Sequence, residues 1–254
     1  MVGESLGAGA PGSTRTDAAA QPPDNEPATR RERPLWLSLA VNLFVALVVV
    51  SLVQTFVVRV HNVSSGSMQA TLGVTDRVLS SKLAYLSSSP ARGDIIIFAH
   101  GDTWDSPRRS PDPNPAKQAL RTFGDITGIF VSNQNYTVKR VIGVAGDVVD
   151  CCDAQGRVQV NGQPLTEPYL YEDLAFEPGR LDCVTTPRSA RCFAGLEVPA
   201  GRLLVLGDHR SNSADSVIRC RIPDADAATC ARFVAVSQVA GKVIARAWPP
   251  GPIS

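Results

Sequence analysis

The chain has 254 residues, 44% of them hydrophobic and 19% charged, and a formal net charge of +1. That is enough for one domain with appendages. With 25 Lys and Arg against 24 Asp and Glu, there is no broad basic face, which excludes electrostatic capture of nucleic acid. The charge asymmetry is local: Arg30, Arg31 and Arg33 stand directly before a long apolar run.

Residues 1–34 are rich in Ala, Gly and Pro and nearly free of large apolar groups. Such a segment cannot bury enough surface to offset its ordering entropy, so it reads as a disordered tail. The apolar run that follows, Leu35 to Val58, holds no Asp, Glu, Lys or Arg over 24 positions. As a helix it is long enough to cross a hydrocarbon layer of ~30 Å. A cleavable signal peptide would have a shorter apolar region, about 7–15 residues, closed by a small-x-small site. Here "RVHNV" follows instead. The run therefore reads as an uncleaved signal anchor over 35–58. The three arginines place the N-terminal side in the cytoplasm and residues 59–254 outside, at the cell membrane.

Immediately past the anchor comes "SSGSMQATL" at 64–72. Taken alone, its small hydroxyl residues and glycine describe a flexible stalk. The rest of the outer region reads as mostly β. Branched-residue runs recur at 77–81, 94–99, 136–144, 157–162, 202–208 and 241–248, with turn residues between them. Asn161-Gly162 is a hairpin signal. Two less regular stretches, about 101–134 and 151–198, read as insertions on this scaffold; the first contains "DSPRRSPDPNPAK", too rich in proline for a strand.

All six cysteines, at 151, 152, 183, 192, 220 and 230, fall on the predicted outer side, where an even number suggests disulfides. Cys183 with Cys192 and Cys220 with Cys230 make plausible short loops. The adjacent Cys151 and Cys152 would bridge each other only with strain, which points them elsewhere. No Cys-x-x-Cys pair with a nearby histidine completes a zinc ligand set, so no metal or other cofactor is expected.

In "YTVKRVIGV" Lys139 and Arg140 are consecutive within an apolar strand pattern. Simple alternation would turn one of them to solvent. A lysine turned inward behaves differently, because burial disfavours the ammonium and can bring its pKa toward neutrality. It can then serve as a general base, and a serine hydroxyl within reach becomes an activated nucleophile.

Five segments, "SSGSMQATL" (64–72), "DRVLSSKLAY" (76–85), "RGDIIIF" (92–98), "YTVKRVIGVAGD" (136–147) and "GDHRSNSADS" (207–216), resemble in order and character the five boxes of bacterial type I signal peptidases, actinobacterial members among them. The resemblance implies a membrane-anchored Ser–Lys protease with an all-β outer domain. It would cleave signal peptides from exported preproteins after Ala-x-Ala-type sites, with membrane lipid and the export machinery as partners. Ser67 matches the nucleophile and Lys139 the general base. Ser65 matches a hydroxyl that completes the oxyanion hole with the Ser67 N–H, and Ser213 one that orients the lysine amine. Asp208 and Asp215 belong to the last box and are expected to hold its backbone. Met68 is expected to line the substrate pockets.

Some positions depart from that pattern. Ser64 and Ala70 stand in place of prolines, and His209 in place of a common asparagine. Val217 stands where an arginine usually pairs with the aspartate, a part that Arg210, Arg219 or Arg221 could take. His61, His100 and His209 invite a Ser–His–Asp triad, but no G-x-S-x-G elbow accompanies them. Self-cleaving repressors share a Ser–Lys pair, yet they are soluble and carry a DNA-binding domain, unlike a chain with an anchor. A membrane-anchored binding or assembly protein that keeps the fold without the reaction is the alternative of a different class, and Val217 is the feature in its favour.

Overall fold

The computed structural model describes residues 34–100, 104, 110–127 and 133–253. The tail at 1–33, with its expected disorder, and much of the stretch at 101–134 lie outside the described residues. The first element, α1, runs Leu35–Phe56. Its apolar window Leu35–Val53 has a mean hydropathy of 2.5 and none of it is buried, so by length and composition the helix can cross a membrane. The helix stops short of the expected boundary: Val58 already belongs to strand β1, Val58–Asn62.

From β1 onward the chain builds two antiparallel sheets. The larger has seven strands in the order β1-β2-β11-β3-β4-β9-β10. Its members are β1, β2 (Arg77–Ser81), β3 (Ile95–Ala99), β4 (Tyr136–Val144), β9 (Arg202–Leu206), β10 (Val234–Ala235) and β11 (Val239–Trp248). The smaller sheet has four strands in the order β7-β6-β5-β8. They are β5 (Val148–Cys151), β6 (Val158–Val160), β7 (Gln163–Pro164) and β8 (Phe193–Glu197). Strand β6 falls in the branched run at 157–162; β7 and β8, two and five residues long, lie within the less regular stretch, where runs so short show little of a period of 2. The hairpin between β6 and β7 turns at Asn161 and Gly162, with φ of 53° and 74°. Positive φ at two successive residues is what a two-residue hairpin turn demands, and Asn-Gly tolerates it best.

The first insertion also holds regular structure: Pro115–Thr127 forms α2. Asn114 caps it, accepting the main-chain N–H of Ala116 at 2.9 Å, and Pro115 takes the first helical position, where its missing N–H costs nothing. Pro111 and Pro113 thus stand just before a helix that Pro115 opens.

The three disulfides are Cys151–Cys152, Cys183–Cys192 and Cys220–Cys230. The two short loops pair as expected; Cys151 and Cys152 bridge each other, against expectation. Cys151 is buried at the end of β5 beside Val158 and Phe193.

Strand β4 sits inside the large sheet, between β3 and β9. Its register with β3 pairs Lys139 with Ile96 and Arg140 with Ile95. Directly opposed residues share a face, so β4 sends these two side chains to opposite faces. Ile96, Phe98, Val141, Leu203 and Val205 pack on the lysine side. Ile95 and Ile97 pack with Met68, Leu72, Val78 and Val243 on the arginine side. Both faces of β4 are covered, and neither cation reaches solvent.

Candidate active site

The "SSGSMQATL" segment is not a stalk. Gly66–Met68 forms one turn of 3-10 helix in which Ser67 and Met68 are both buried. Such a turn advances about 120° per residue, so the two neighbours point in different directions. Met68, 1% exposed, enters the core with Leu72 and Val78. Ser67 points the other way, toward β4.

There Lys139 Nζ lies 2.5 Å from Ser67 Oγ, although the residues are 72 positions apart in sequence. Lys139 is 2% exposed. Burial pulls its pKa down from 10.5 to about 8; Arg232 adds to the depression, while Asp215 and Asp208 oppose it. Ser65, two residues back and extended at the start of the turn, places its own Oγ 3.2 Å from Ser67 Oγ. A cavity of about 310 Å³ opens beside this group, lined among others by Ser65, Ser67, Trp104, Thr137, Lys139 and Arg232. The site is thus a hydroxyl next to a readily deprotonated amine, with room for a reactant on one side.

The loop from Gly207 to Asp215 braces the serine turn from behind. The His209 N–H donates to the Ser67 carbonyl at 3.1 Å. The His209 ring places Nδ1 3.2 Å from the Gly66 carbonyl and 3.1 Å from Gln69 Oε1, with Glu172 3.3 Å from Nε2. Gly207 lets the two segments approach, for a Cβ there would meet the Ser67 carbonyl oxygen at 2.5 Å and collide with Ser213 Oγ. Ser213 itself is buried against Gly207, and its Oγ makes no hydrogen bond, so the expected bond to the lysine amine is not formed in this structure.

Asp208 and Asp215 tie this loop to Arg140 and Thr71, partners the sequence did not point to, and to Arg221, one of the arginines it offered. Asp208 accepts two bonds from Arg140, at 2.8 and 2.7 Å, and a third from Thr71 Oγ1 at 2.6 Å. The Arg140 guanidinium carbon also lies 3.7 Å from the centroid of the Tyr169 ring, a cation–π contact. Asp215, fully buried, accepts the Val217 N–H at 3.2 Å and lies 3.4 Å from Arg221 Nη2. Arg221 therefore takes the place that Val217 leaves. Arg210 does not; it pairs with Glu167. Of the histidines, His61 packs edge-on against Tyr136, and its pKa is pushed down to about 4 by burial. His100 places Nε2 2.6 Å from Thr137 Oγ1.

The family model described as "Signal peptidase, peptidase S26" matches residues 36–248, most of the chain. The chain belongs to the signal peptidase family, peptidase S26. Signal peptidase I of Mycobacterium tuberculosis (strain ATCC 25618 / H37Rv) is 34% identical to it, over 91% of this chain and 78% of the relative. That of Leptolyngbya laminosa is 30% identical, over 91% and 85%. A solved signal peptidase I from Enterococcus faecalis V583 is 25% identical, covers 62% of this chain and 98% of its own, and has a TM-score of 0.33, too low to bear on the fold. Like the family, this S26 member is a serine protease, a hydrolase.

Proposed function

We propose that this S26 peptidase is a membrane-anchored endopeptidase that removes N-terminal signal peptides from exported preproteins, with Ser67 as nucleophile and Lys139 as general base. The observation that carries the proposal is the 2.5 Å approach of Lys139 Nζ to Ser67 Oγ in a buried setting that favours the neutral amine. A neutral amine accepts the hydroxyl proton as Ser67 Oγ attacks the scissile carbonyl carbon. The carbonyl oxygen becomes an oxyanion, which the Ser65 hydroxyl and the Ser67 N–H stabilise as donors. The lysine ammonium then returns its proton to the departing amine, and water, deprotonated by the same lysine, releases the acyl group from Ser67. Asp208 and Asp215 act at one remove, by fixing the loop that backs the serine turn. Ser213 lies in that loop, and its free hydroxyl becomes a partner for the amine if the side chain rotates when substrate fills the cavity.

The anchor α1 lies with its N-terminus in the cytoplasm and holds the β domain on the outer face of the membrane. From Val58 to Ser67 is nine residues, a span of at most ~30 Å even if fully extended. The site therefore stays near the lipid surface, where a substrate's own apolar helix presents its cleavage site and the export machinery delivers it. Small residues beside Ser67 favour Ala-x-Ala before the scissile bond, because shallow pockets reject bulky side chains sterically. The alternative, a binding or assembly protein without the reaction, rested on Val217, and the Arg221–Asp215 contact removes that motive.

The test is cleavage of a purified preprotein by the full-length protein beside Ser67→Ala. Loss of processing in the variant supports the assignment; equal processing by both overturns it.

A further inference from the structure

Residues 217–233 leave the site and return to it. Val217, where an arginine was expected, is fully buried in the core with Cys220 and Cys230, leaving no room there for a charge. The bridge Cys220–Cys230 closes this segment across a separation of 10 residues. On its outgoing limb, Arg221 reaches Asp215. On its returning limb, the Arg232 N–H donates to the Ser216 carbonyl at 2.8 Å, and Arg232 Nη2 donates to the Asp215 carbonyl at 3.2 Å. The Arg232 guanidinium carbon lies 4.5 Å from the centroid of the Trp104 ring. Arg232 is 5% exposed and lines the same cavity as Ser67 and Lys139.

We propose that Arg232 is a positioning residue for the peptidase reaction, its fixed positive charge in the cavity wall disfavouring a second positive charge on Lys139, and that the Cys220–Cys230 bridge holds it there. The proposal rests on Lys139 being the base. The charges facing that amine are of both signs. Asp215 and Asp208 favour the ammonium, while burial and Arg232 oppose it. Asp208 is engaged by Arg140 and Asp215 by Arg221, which blunts both carboxylates. His100, on the same cavity, is tied to Thr137. Trp104 gives the guanidinium an aromatic face to rest on, so its position depends on packing as well as on hydrogen bonds. An arginine suits this place because it stays charged at any pH at which the lysine titrates.

The experiment is the pH–rate profile of the full-length protein in detergent on a preprotein substrate. It compares wild type with Arg232→Met, Arg232→Lys and the double variant Cys220→Ser/Cys230→Ser, with Ser67→Ala as a control. Removing the positive charge raises the lysine pKa, so in Arg232→Met the acidic limb moves to higher pH. Its rate near pH 7 falls about tenfold per unit of that movement, while the alkaline plateau is kept. Arg232→Lys keeps the limb in place, and the double cysteine variant moves it the same way as Arg232→Met. A limb that coincides with wild type in Arg232→Met, or equal loss at every pH in the Met and Lys variants, overturns the proposal. Should Arg232→Met not fold, the double cysteine variant decides by the same reading: a moved limb supports the role and an unmoved one refutes it. Residual cleavage by Ser67→Ala overturns the dyad itself, whereas an inactive Ser67→Ala beside an unmoved limb overturns only the role of Arg232.

Discussion

Lys139 and Arg140 are consecutive on β4, and both are buried, one on each face of the sheet. Asp208 takes Arg140 in a two-pronged pair. The hydrogen-bond partner of Lys139 is the uncharged hydroxyl of Ser67. One strand thus delivers a guanidinium bound to a carboxylate and an amine bound to a hydroxyl from adjacent positions, one to each face.

Ser67→Ala and Lys139→Ala should each abolish preprotein cleavage while circular dichroism remains that of the folded domain. The two residues act as one unit, so the double variant loses no more than either single one. Ser65→Ala should be milder, costing about 10²–10³ in rate, as for one oxyanion donor. Near wild-type turnover in Lys139→Ala would show that another base serves.

The amine must be neutral to accept a proton, so activity should rise with pH through about 8, where the lysine titrates, and fade toward acid. The same depression has a consequence for stability. The folded protein resists protonating a lysine that the unfolded chain protonates below about 10.5, so folding is penalised below about pH 8 and the penalty is relieved as pH climbs from there to 10.5. At about 1.4 kcal/mol per unit, the penalty at neutral pH is on the order of 3 kcal/mol. Lys139→Met should therefore be inactive yet more stable than wild type near pH 7, with the gain shrinking above pH 8. Denaturant midpoints at several pH values check it; a variant less stable at neutral pH contradicts the burial argument.

Gly207→Ala places a methyl group against the Ser67 carbonyl oxygen and Ser213. The loop and the serine turn cannot both keep their positions. Cleavage should fall by more than tenfold, since small misplacements of a nucleophile are costly. Full activity in this variant would mean that the contact between the two segments is dispensable.

Asp208→Ala leaves Arg140 buried without its carboxylate, and breaking one side of such a pair costs about 3–5 kcal/mol. Thermal denaturation should show a large drop in Tm. A drop no greater than that of an exposed aspartate variant would show that Arg140 finds another acceptor.

Replacing either alanine of an Ala-x-Ala cleavage site with Leu or Trp should block processing, and deleting residues 1–58 should leave weak activity that detergent or lipid raises. Equal cleavage of bulky and small sites by the full-length protein would leave a general Ser–Lys protease in place of a signal-peptide processor.

Much of this was legible in the chain itself. The apolar run at 35–58 predicted α1 because a charge-free stretch of that length has few other solutions, and the β-branched run at 136–144 coincides with β4 to the residue. Asn161-Gly162 marked its hairpin because the backbone requirement is local. Sequence order likewise offered Ser67 and Lys139 as partners through the five-box resemblance. Contacts across long separations decided the rest. Both Lys139 and Arg140 are inside because β4 is covered on its two faces, a property of the strands beside it and not of its own residues. Met68 belongs to the core because one 3-10 turn separates its direction from that of Ser67. The guanidinium missing at Val217 is supplied by Arg221, with Arg232 beside it, because a disulfide loop folds back over Asp215. Local patterns carry propensity and burial tendency; which charges meet depends on how distant segments pack, and only the folded chain brings them together.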